Sequence, residues 1–207
     1  MEPEHHLLSS RVVAKGKAIA SSVWGRAWCL NLERYSHYMG RLPQGRTLLR
    51  RGAVSELQIT AGRVDALVED ERSHEVTIRV QACSEERWAQ LQERCGDTVD
   101  SLLDLLQGKL SASVMAVMTD PENGLFPEPS ELRCVCTCID EADLCKHAAA
   151  ALYGVAVAFD DHPELLFLLR QVDAGALVKA DMTGAAAGTL DEGALEGIFG
   201  FELDVDL

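Results

Sequence analysis

A short cysteine-rich segment constrains the fold of this chain more than any other feature. Four of the seven cysteines lie within twelve positions, a histidine follows two residues later, and the set is Cys134, Cys136, Cys138, Cys145 and His147. Structural Zn²⁺ is held by four sulfur or nitrogen ligands in a tetrahedron, and short local spacings bring these ligands together in pairs. The pairs Cys136-x-Cys138 and Cys145-x-His147 provide such a set. They predict a bound Zn²⁺ ion with these four residues as its ligands.

Local periodicity indicates where the two ligand pairs lie. Four alanines follow the histidine, so Cys145 and His147 are expected in the first turn of a helix, whose positive end favours a thiolate. Cys136 and Cys138 are expected on one side of a strand, at the end of a β-hairpin. If that strand is extended, Cys134 lies on the same side, so a shifted ligand set that uses Cys134 remains an alternative.

The motif Cys136-Thr137-Cys138, followed after a gap by Cys145-Lys146-His147, resembles the SWIM zinc-finger family. Similarity to bacterial SWIM-containing proteins extends over roughly residues 21–170, although the family often has a proline where this chain has Ile139. The resemblance implies a DNA-binding or protein-interacting module. In bacterial relatives such modules are often associated with helicase-like ATPases of the SWI/SNF type, which suggests the kind of partner to expect.

The remaining apolar pattern predicts an α+β protein: a small antiparallel meander with helices, plus a zinc-bound hairpin and helix. A helix capped by Ser21 or Ser22 would place Trp24 and Trp28 at helical spacing, which favours a core stripe over a base-stacking surface. Three alternating apolar runs within residues 53–80 predict the strands of the meander.

Composition divides the chain into four predicted units. Residues 1–20 form a flexible arm, and residues 21–120 form an N-terminal α+β unit that includes helices after Ser84. A stretch rich in proline and glycine then leads into the zinc-finger unit, residues 121–170, with its following helices. Residues 171–207 form an acidic linker with a C-terminal helix or tail.

Charge is distributed unevenly along the chain. The whole sequence has 19 basic and 33 acidic residues, for a net charge of −14, yet residues 1–52 have nine basic residues and three acidic ones. Phosphate binding depends on local positive potential, so contacts to nucleic acid are expected only near this basic region. An ordinary solvated surface explains the region equally well. The candidate contacts to nucleic acid or to a protein partner are Arg41, Arg46, Arg50, Arg51 and Lys146.

Catalytic motifs are missing from the sequence. It lacks the G-x-x-x-x-G-K-[ST] and G-x-G-x-x-G phosphate loops and the H-E-x-x-H zinc-protease helix. Four protein ligands would also leave no open position on the zinc. We therefore expect a non-catalytic, cytoplasmic, zinc-binding recognition module that binds DNA and/or a protein partner and does not enter a membrane. The alternative is a pure protein–protein adaptor with a structural zinc and no nucleic-acid contact.

Overall fold

The fold was determined as a computed structural model, which describes residues 6–8, 11–14, 16, 18–35, 38–95, 112–140 and 142–177. In this part of the chain the strands are β1 (His6–Leu8), β2 (Val54–Thr60), β3 (Arg63–Glu69), β4 (Ser73–Val80) and β5 (Leu132–Cys136). The α-helices are α1 (Val23–Glu33), α2 (Leu42–Arg50), α3 (Glu85–Cys95), α4 (Ala112–Met118), α5 (Lys146–Asp161) and α6 (Leu165–Arg170). The α+β class is thereby confirmed.

The five strands form one antiparallel sheet in the order β1-β2-β3-β4-β5. Strands β2, β3 and β4 are the predicted meander. Strand β5 ends at Cys136, the first residue of the first cysteine pair. It pairs with β4, where Val76 lies opposite Cys136, and does not form a local hairpin with the residues next to it in sequence. The β4–β5 pairing therefore joins residues of the two units that the sequence analysis separated at residue 120.

Helix α5 is the centre of the core. All its residues from His147 to Phe159 are buried, as expected of a helix enclosed on all sides. It contacts β2 to β5 on one side and α1 and α2 on the other. Small residues permit this close packing: a Cβ added at Gly45 would lie 2.5 Å from the Cβ of Ala149, and one added at Gly25 would lie 2.4 Å from the carbonyl oxygen of Ala156.

Helix α1 begins as predicted, with Ser22 as its N-cap. The Ser22 hydroxyl accepts a hydrogen bond from the Gly25 N–H at 3.0 Å. Trp24 and Trp28 are 3% and 0% exposed, which confirms that they belong to the core. The indole N–H of Trp28 donates to the Leu152 carbonyl of α5 at 2.9 Å, so α1 is joined to the central helix by a buried hydrogen bond as well as by apolar contact.

The C-terminal end of α5 is attached to the start of α1 through one carboxylate. Asp160 accepts hydrogen bonds from the Ser21 N–H at 2.7 Å, the Ser21 hydroxyl at 2.8 Å and the Ser22 N–H at 2.8 Å. Burial alone would raise the pKa of Asp160, but these hydrogen bonds outweigh burial and lower it.

Of the helices predicted after Ser84, any part between residues 96 and 111 lies outside the described residues, as does the helix predicted near the C-terminus. Within the described ranges, none of the helices has the length and apolar character needed to cross a membrane.

Candidate metal centre

The four predicted ligand side chains converge at one place. The donor atoms of Cys136, Cys138, Cys145 and His147 all lie within 4.8 Å of one another. The Sγ of Cys136 is 3.7 Å from the Nδ1 of His147. Tetrahedral Zn²⁺ with bonds of about 2.0 to 2.3 Å separates its donors by about 3.3 to 3.8 Å. The Cys136–His147 separation lies in this range, and the chemistry of the set, three cysteine sulfurs and one imidazole nitrogen gathered within 4.8 Å, fits a structural zinc ion.

The first pair of donors lies at the end of strand β5, and the second pair lies at the start of helix α5. Cys136 is the last residue of β5, and Cys138 follows two positions later. Cys145 is the N-cap of α5, and its Sγ accepts a hydrogen bond from the Ala148 N–H at 3.4 Å. A sulfur at this position faces the unpaired N–H groups and the positive end of the helix dipole, which stabilise a thiolate.

The thiols of Cys136 and Cys145 interact, and this interaction shifts their pKa values in opposite directions. A hydrogen bond from the Cys136 thiol lowers the pKa of Cys145, and the Ala148 N–H lowers it further against the effect of burial. The same contact with Cys145 raises the pKa of Cys136, and burial raises it too. Of the two thiols, Cys145 is the one whose surroundings favour the thiolate, and binding of zinc would release the protons of its cysteine ligands.

The structure also locates Cys134, the alternative ligand. It lies on β5 opposite Ile78, two positions before Cys136 on the same strand, and it is not a member of the four-residue cluster. Burial raises the pKa of Cys134 to about 12, and the charges of Cys145 and Asp143 add to this effect. Because the Sγ of Cys136 lies in the cluster of donor atoms and that of Cys134 does not, the geometry favours the set that contains Cys136.

His147 is held in place by Asp70, in the turn between β3 and β4, and by His74, near the start of β4. Its Nδ1 faces the sulfur of Cys136, while its Nε2 lies 3.4 Å from the Oδ2 of Asp70. The ring of His74 stacks on the ring of His147, with centroids 3.9 Å apart and an angle of 23°. A carboxylate on the second ring nitrogen is the usual outer partner of a metal-binding histidine, because it fixes the orientation of the ring.

The carboxylate of Asp70 interacts with two basic side chains as well as with His147. Its carboxylate pairs with Lys146 at 2.6 Å and also with Arg51. Hydrogen bonds from Lys146, Arg51 and His147, in that order of effect, lower the pKa of Asp70 although burial opposes them. Sequence reasoning missed this residue, because no local spacing relates position 70 to a motif that begins 66 residues later.

The five basic side chains predicted as contacts mostly have carboxylate partners. Arg41 pairs with Asp140 at 2.8 Å, Arg46 pairs with Glu33, and Arg51 and Lys146 both pair with Asp70. Arg46 also donates to the Tyr153 hydroxyl at 3.2 Å. Arg50 lies exposed at the last position of α2. The structure therefore brings Arg51 and Lys146 together and joins Arg41 to the loop of the cysteine segment; a binding role for these five side chains stays a prediction.

Comparison with known proteins agrees with the metal-site geometry. A family model described as SWIM zinc finger matches residues 117–153, which include all four clustered side chains but not Asp70. Uncharacterized protein Rv2102 of Mycobacterium tuberculosis is 34% identical over 149 residues, which cover 70% of this chain and 53% of that protein. The chain thus spans about half the length of this relative. No solved structure matches the chain significantly.

Proposed function

We propose that this chain, which has a SWIM zinc finger at residues 117–153, is a non-catalytic recognition module that binds DNA or a protein partner. The observation that carries the proposal is the closed donor set: three sulfurs and one ring nitrogen of the protein cluster together. Four protein ligands complete the tetrahedron of Zn²⁺, which leaves no position for a water or a substrate. The ion would stabilise the fold, and Cys136, Cys138, Cys145 and His147 would hold it.

Zinc would act here by fixing one end of the central helix to the edge of the sheet. Cys136 and Cys138 belong to the segment that includes β5, whereas Cys145 and His147 start α5. Binding energies of structural zinc in finger peptides are about 10 kcal/mol or more, enough to hold such a junction in one conformation. A surface that spans β5 and the loop after it is thereby kept rigid for recognition.

The nucleic-acid part of the proposal is tested by a salt titration. Zinc-loaded protein is added to labelled random-sequence duplex and single-stranded DNA at 20 to 200 mM salt, and binding is followed by fluorescence anisotropy. Phosphate contacts release counterions, so affinity should fall linearly on a plot of log K against log salt concentration. Absence of binding at the lowest salt concentration would contradict DNA recognition.

A protein partner is the second candidate, and two exposed apolar residues favour it. Ile139 and Val135, which flank the first cysteine pair, are 91% and 57% exposed. Ile139 also borders a shallow pocket of about 470 Å³ beside the metal centre, lined in part by His74 and Lys146. Apolar side chains presented on a rigid edge are typical of protein contacts. Four of the five predicted basic contacts have carboxylate partners of their own, which also supports an adaptor without nucleic-acid contact.

For the adaptor, we propose a helicase-like ATPase of the SWI/SNF type as the partner, on the basis of the SWIM resemblance. Tagged full-length chain is used to capture partners from the native host, and they are identified by mass spectrometry. The variant Ile139→Asp should lose the ATPase while its zinc content is unchanged. Equal capture of the ATPase by both proteins would contradict a role for this surface, and absence of such an ATPase from both would contradict the proposed partner.

A further inference from the structure

The register of the sheet aligns three arginines that are far apart in the sequence. Arg63 of β3 lies opposite Arg79 of β4, and Arg79 lies opposite Arg133 of β5. All three residues are exposed. Directly opposed residues of an antiparallel sheet share a face, so these side chains form a row across three neighbouring strands, which we call the arginine row.

In the described ranges, two of the three guanidinium groups of the arginine row are not paired with a carboxylate. Arg63 donates to the Asp65 carboxylate through Nε at 2.5 Å and Nη2 at 2.7 Å. Neither Arg79 nor Arg133 forms an ion pair with any side chain in the described ranges. Like charges placed directly opposite each other destabilise a sheet, so this alignment is unfavourable unless an anion lies over it.

The rest of this sheet face changes from basic to acidic. Beyond the arginine row, the pairing register produces a mixed row and then an acidic one: Gln58, Asp65, Thr77 and Val135, followed by Glu56, Leu67 and Glu75. Strands β2 to β5 contain no Phe, Tyr or Trp. This face therefore offers guanidinium groups at one end and no aromatic platform.

We propose that the arginine row binds the phosphate backbone of duplex DNA without reading its base sequence. This inference rests on the proposed function and assigns a surface to it. Guanidinium forks match phosphate oxygens, and adjacent strands about 4.8 Å apart spread the three groups over about 10 Å. Single strands are usually held by aromatic stacking, so the lack of aromatic residues on this face favours the duplex.

The arginine row is better suited to this role than the basic residues predicted from the sequence. Arg51 and Lys146 both pair with Asp70, which is partly buried beside the metal centre, and a phosphate would have to replace that carboxylate. Arg79 and Arg133 need no such exchange within the described structure. Zinc supports the row indirectly, because Arg133 and Cys136 belong to the same strand.

The test measures the salt dependence of duplex binding for the full zinc-loaded chain. Phosphate contacts from Arg79 and Arg133, the two arginines of the row without a carboxylate partner in the described ranges, predict a slope of log K against log salt concentration of about −1.8, because each contact contributes about 0.9. Arg79→Gln and Arg133→Gln should each make the slope shallower by about 0.9 and weaken binding to all duplex sequences alike. The control is Arg26→Gln, an exposed arginine on α1, which should leave the slope unchanged. Circular dichroism and zinc content verify that each variant is folded.

Each negative result of this binding experiment would overturn a different claim. If the wild-type chain binds the duplex but Arg79→Gln and Arg133→Gln bind with the same slope, the arginine row is overturned and DNA recognition stands. If the wild-type chain fails to bind at 20 mM salt, the nucleic-acid function itself is overturned. If polyglutamate of equal charge displaces the duplex as well as unlabelled duplex does, the phosphate assignment is overturned in favour of an acidic protein partner.

Discussion

The two ends of helix α5 are attached to the rest of the molecule by different chemistry. At the N-terminal end, Cys145 and His147 contribute two of four potential zinc ligands, and the other two come from the segment that includes β5. At the C-terminal end, Asp160 accepts three hydrogen bonds from Ser21 and Ser22. Between these two ends, α1 and α2 pack closely against the small residues of α5.

The two attachments of α5 therefore differ in whether they require a bound metal ion. The C-terminal attachment needs no ligand, since its donors and acceptor all belong to the protein. The N-terminal attachment brings three sulfurs together, and burying them as thiolates without a cation is unfavourable. Metal supply should therefore control order at one end of the helix and leave the other end in place.

Removal of a zinc ligand should have the largest effect on this comparison. Cys138→Ala and His147→Ala should release zinc, because structural zinc contributes about 10 kcal/mol or more to finger folding. Elemental analysis measures the metal, and hydrogen exchange should increase more at residues 146–150 than at residues 155–161. The control is Cys134→Ala, which should retain zinc. Zinc loss from Cys134→Ala combined with retention in Cys138→Ala would show that the ligand set is wrong.

A smaller loss is expected where α2 crosses the N-terminal half of α5. In Gly45→Ala the added methyl group would lie 2.5 Å from the Cβ of Ala149 and 2.7 Å from its carbonyl carbon, so the helices must separate. Overpacking of this kind lowers the free energy of unfolding by about 1 to 3 kcal/mol. Gly40→Ala is the matched control, because no atom lies within 4 Å of its added Cβ. Urea denaturation of both zinc-loaded variants measures the difference, and equal midpoints would contradict the close crossing.

Asp160→Ala should weaken the C-terminal attachment by about 2 kcal/mol, since hydrogen bonds to a charged group are lost. The lowered pKa of Asp160 means that its contribution is present above the ordinary carboxyl pKa of about 3.9 and is lost as the pH falls below that value. The difference in unfolding free energy between wild type and variant should therefore shrink in acid. Ser21→Ala, which removes only one of the three hydrogen bonds, should cost less. A difference that grows as the pH falls would contradict this account.

The smallest effect is expected at the outer partner of His147. Asp70→Asn keeps an oxygen that accepts from Nε2 but removes the charge, so zinc affinity should fall by about tenfold, the lower end of the usual range for such partners. Competition with a chromophoric chelator measures the affinity. Glu71→Gln, the neighbouring exposed acid, should leave the affinity unchanged. Equal zinc affinity in Asp70→Asn and wild type would contradict a role for Asp70 in orienting the ring.

Much of the fold and of the candidate site could be predicted from local sequence patterns. The alternating apolar residues of β2, β3 and β4 predicted the meander, because a strand exposes and buries alternate side chains. Ser22 signalled the start of α1 through its capping hydroxyl. The two short Cys and His spacings predicted the clustered donors for the same reason: each signal spans only a few residues.

The partner of β5 could not be predicted in this way. The sequence predicted a hairpin for the cysteine pair, but the hydrogen bonds of β5 are completed by β4, which ends 52 positions before β5 begins. Pairing between distant strands depends on which edges remain open after the core has formed. No residue near Cys136 indicates that choice.

By itself the sequence determined the candidate donors, with Cys134 as an alternative, as well as the helix that starts beside them and the identity of the core-facing residues, since each follows from spacing along one element. Only the tertiary structure placed Asp70 against His147 and aligned Arg63 with Arg79 and Arg133. The physical reason is that strand register and helix packing bring together residues tens of positions apart. Their energies belong to contacts between elements, and these contacts exist only in the folded chain.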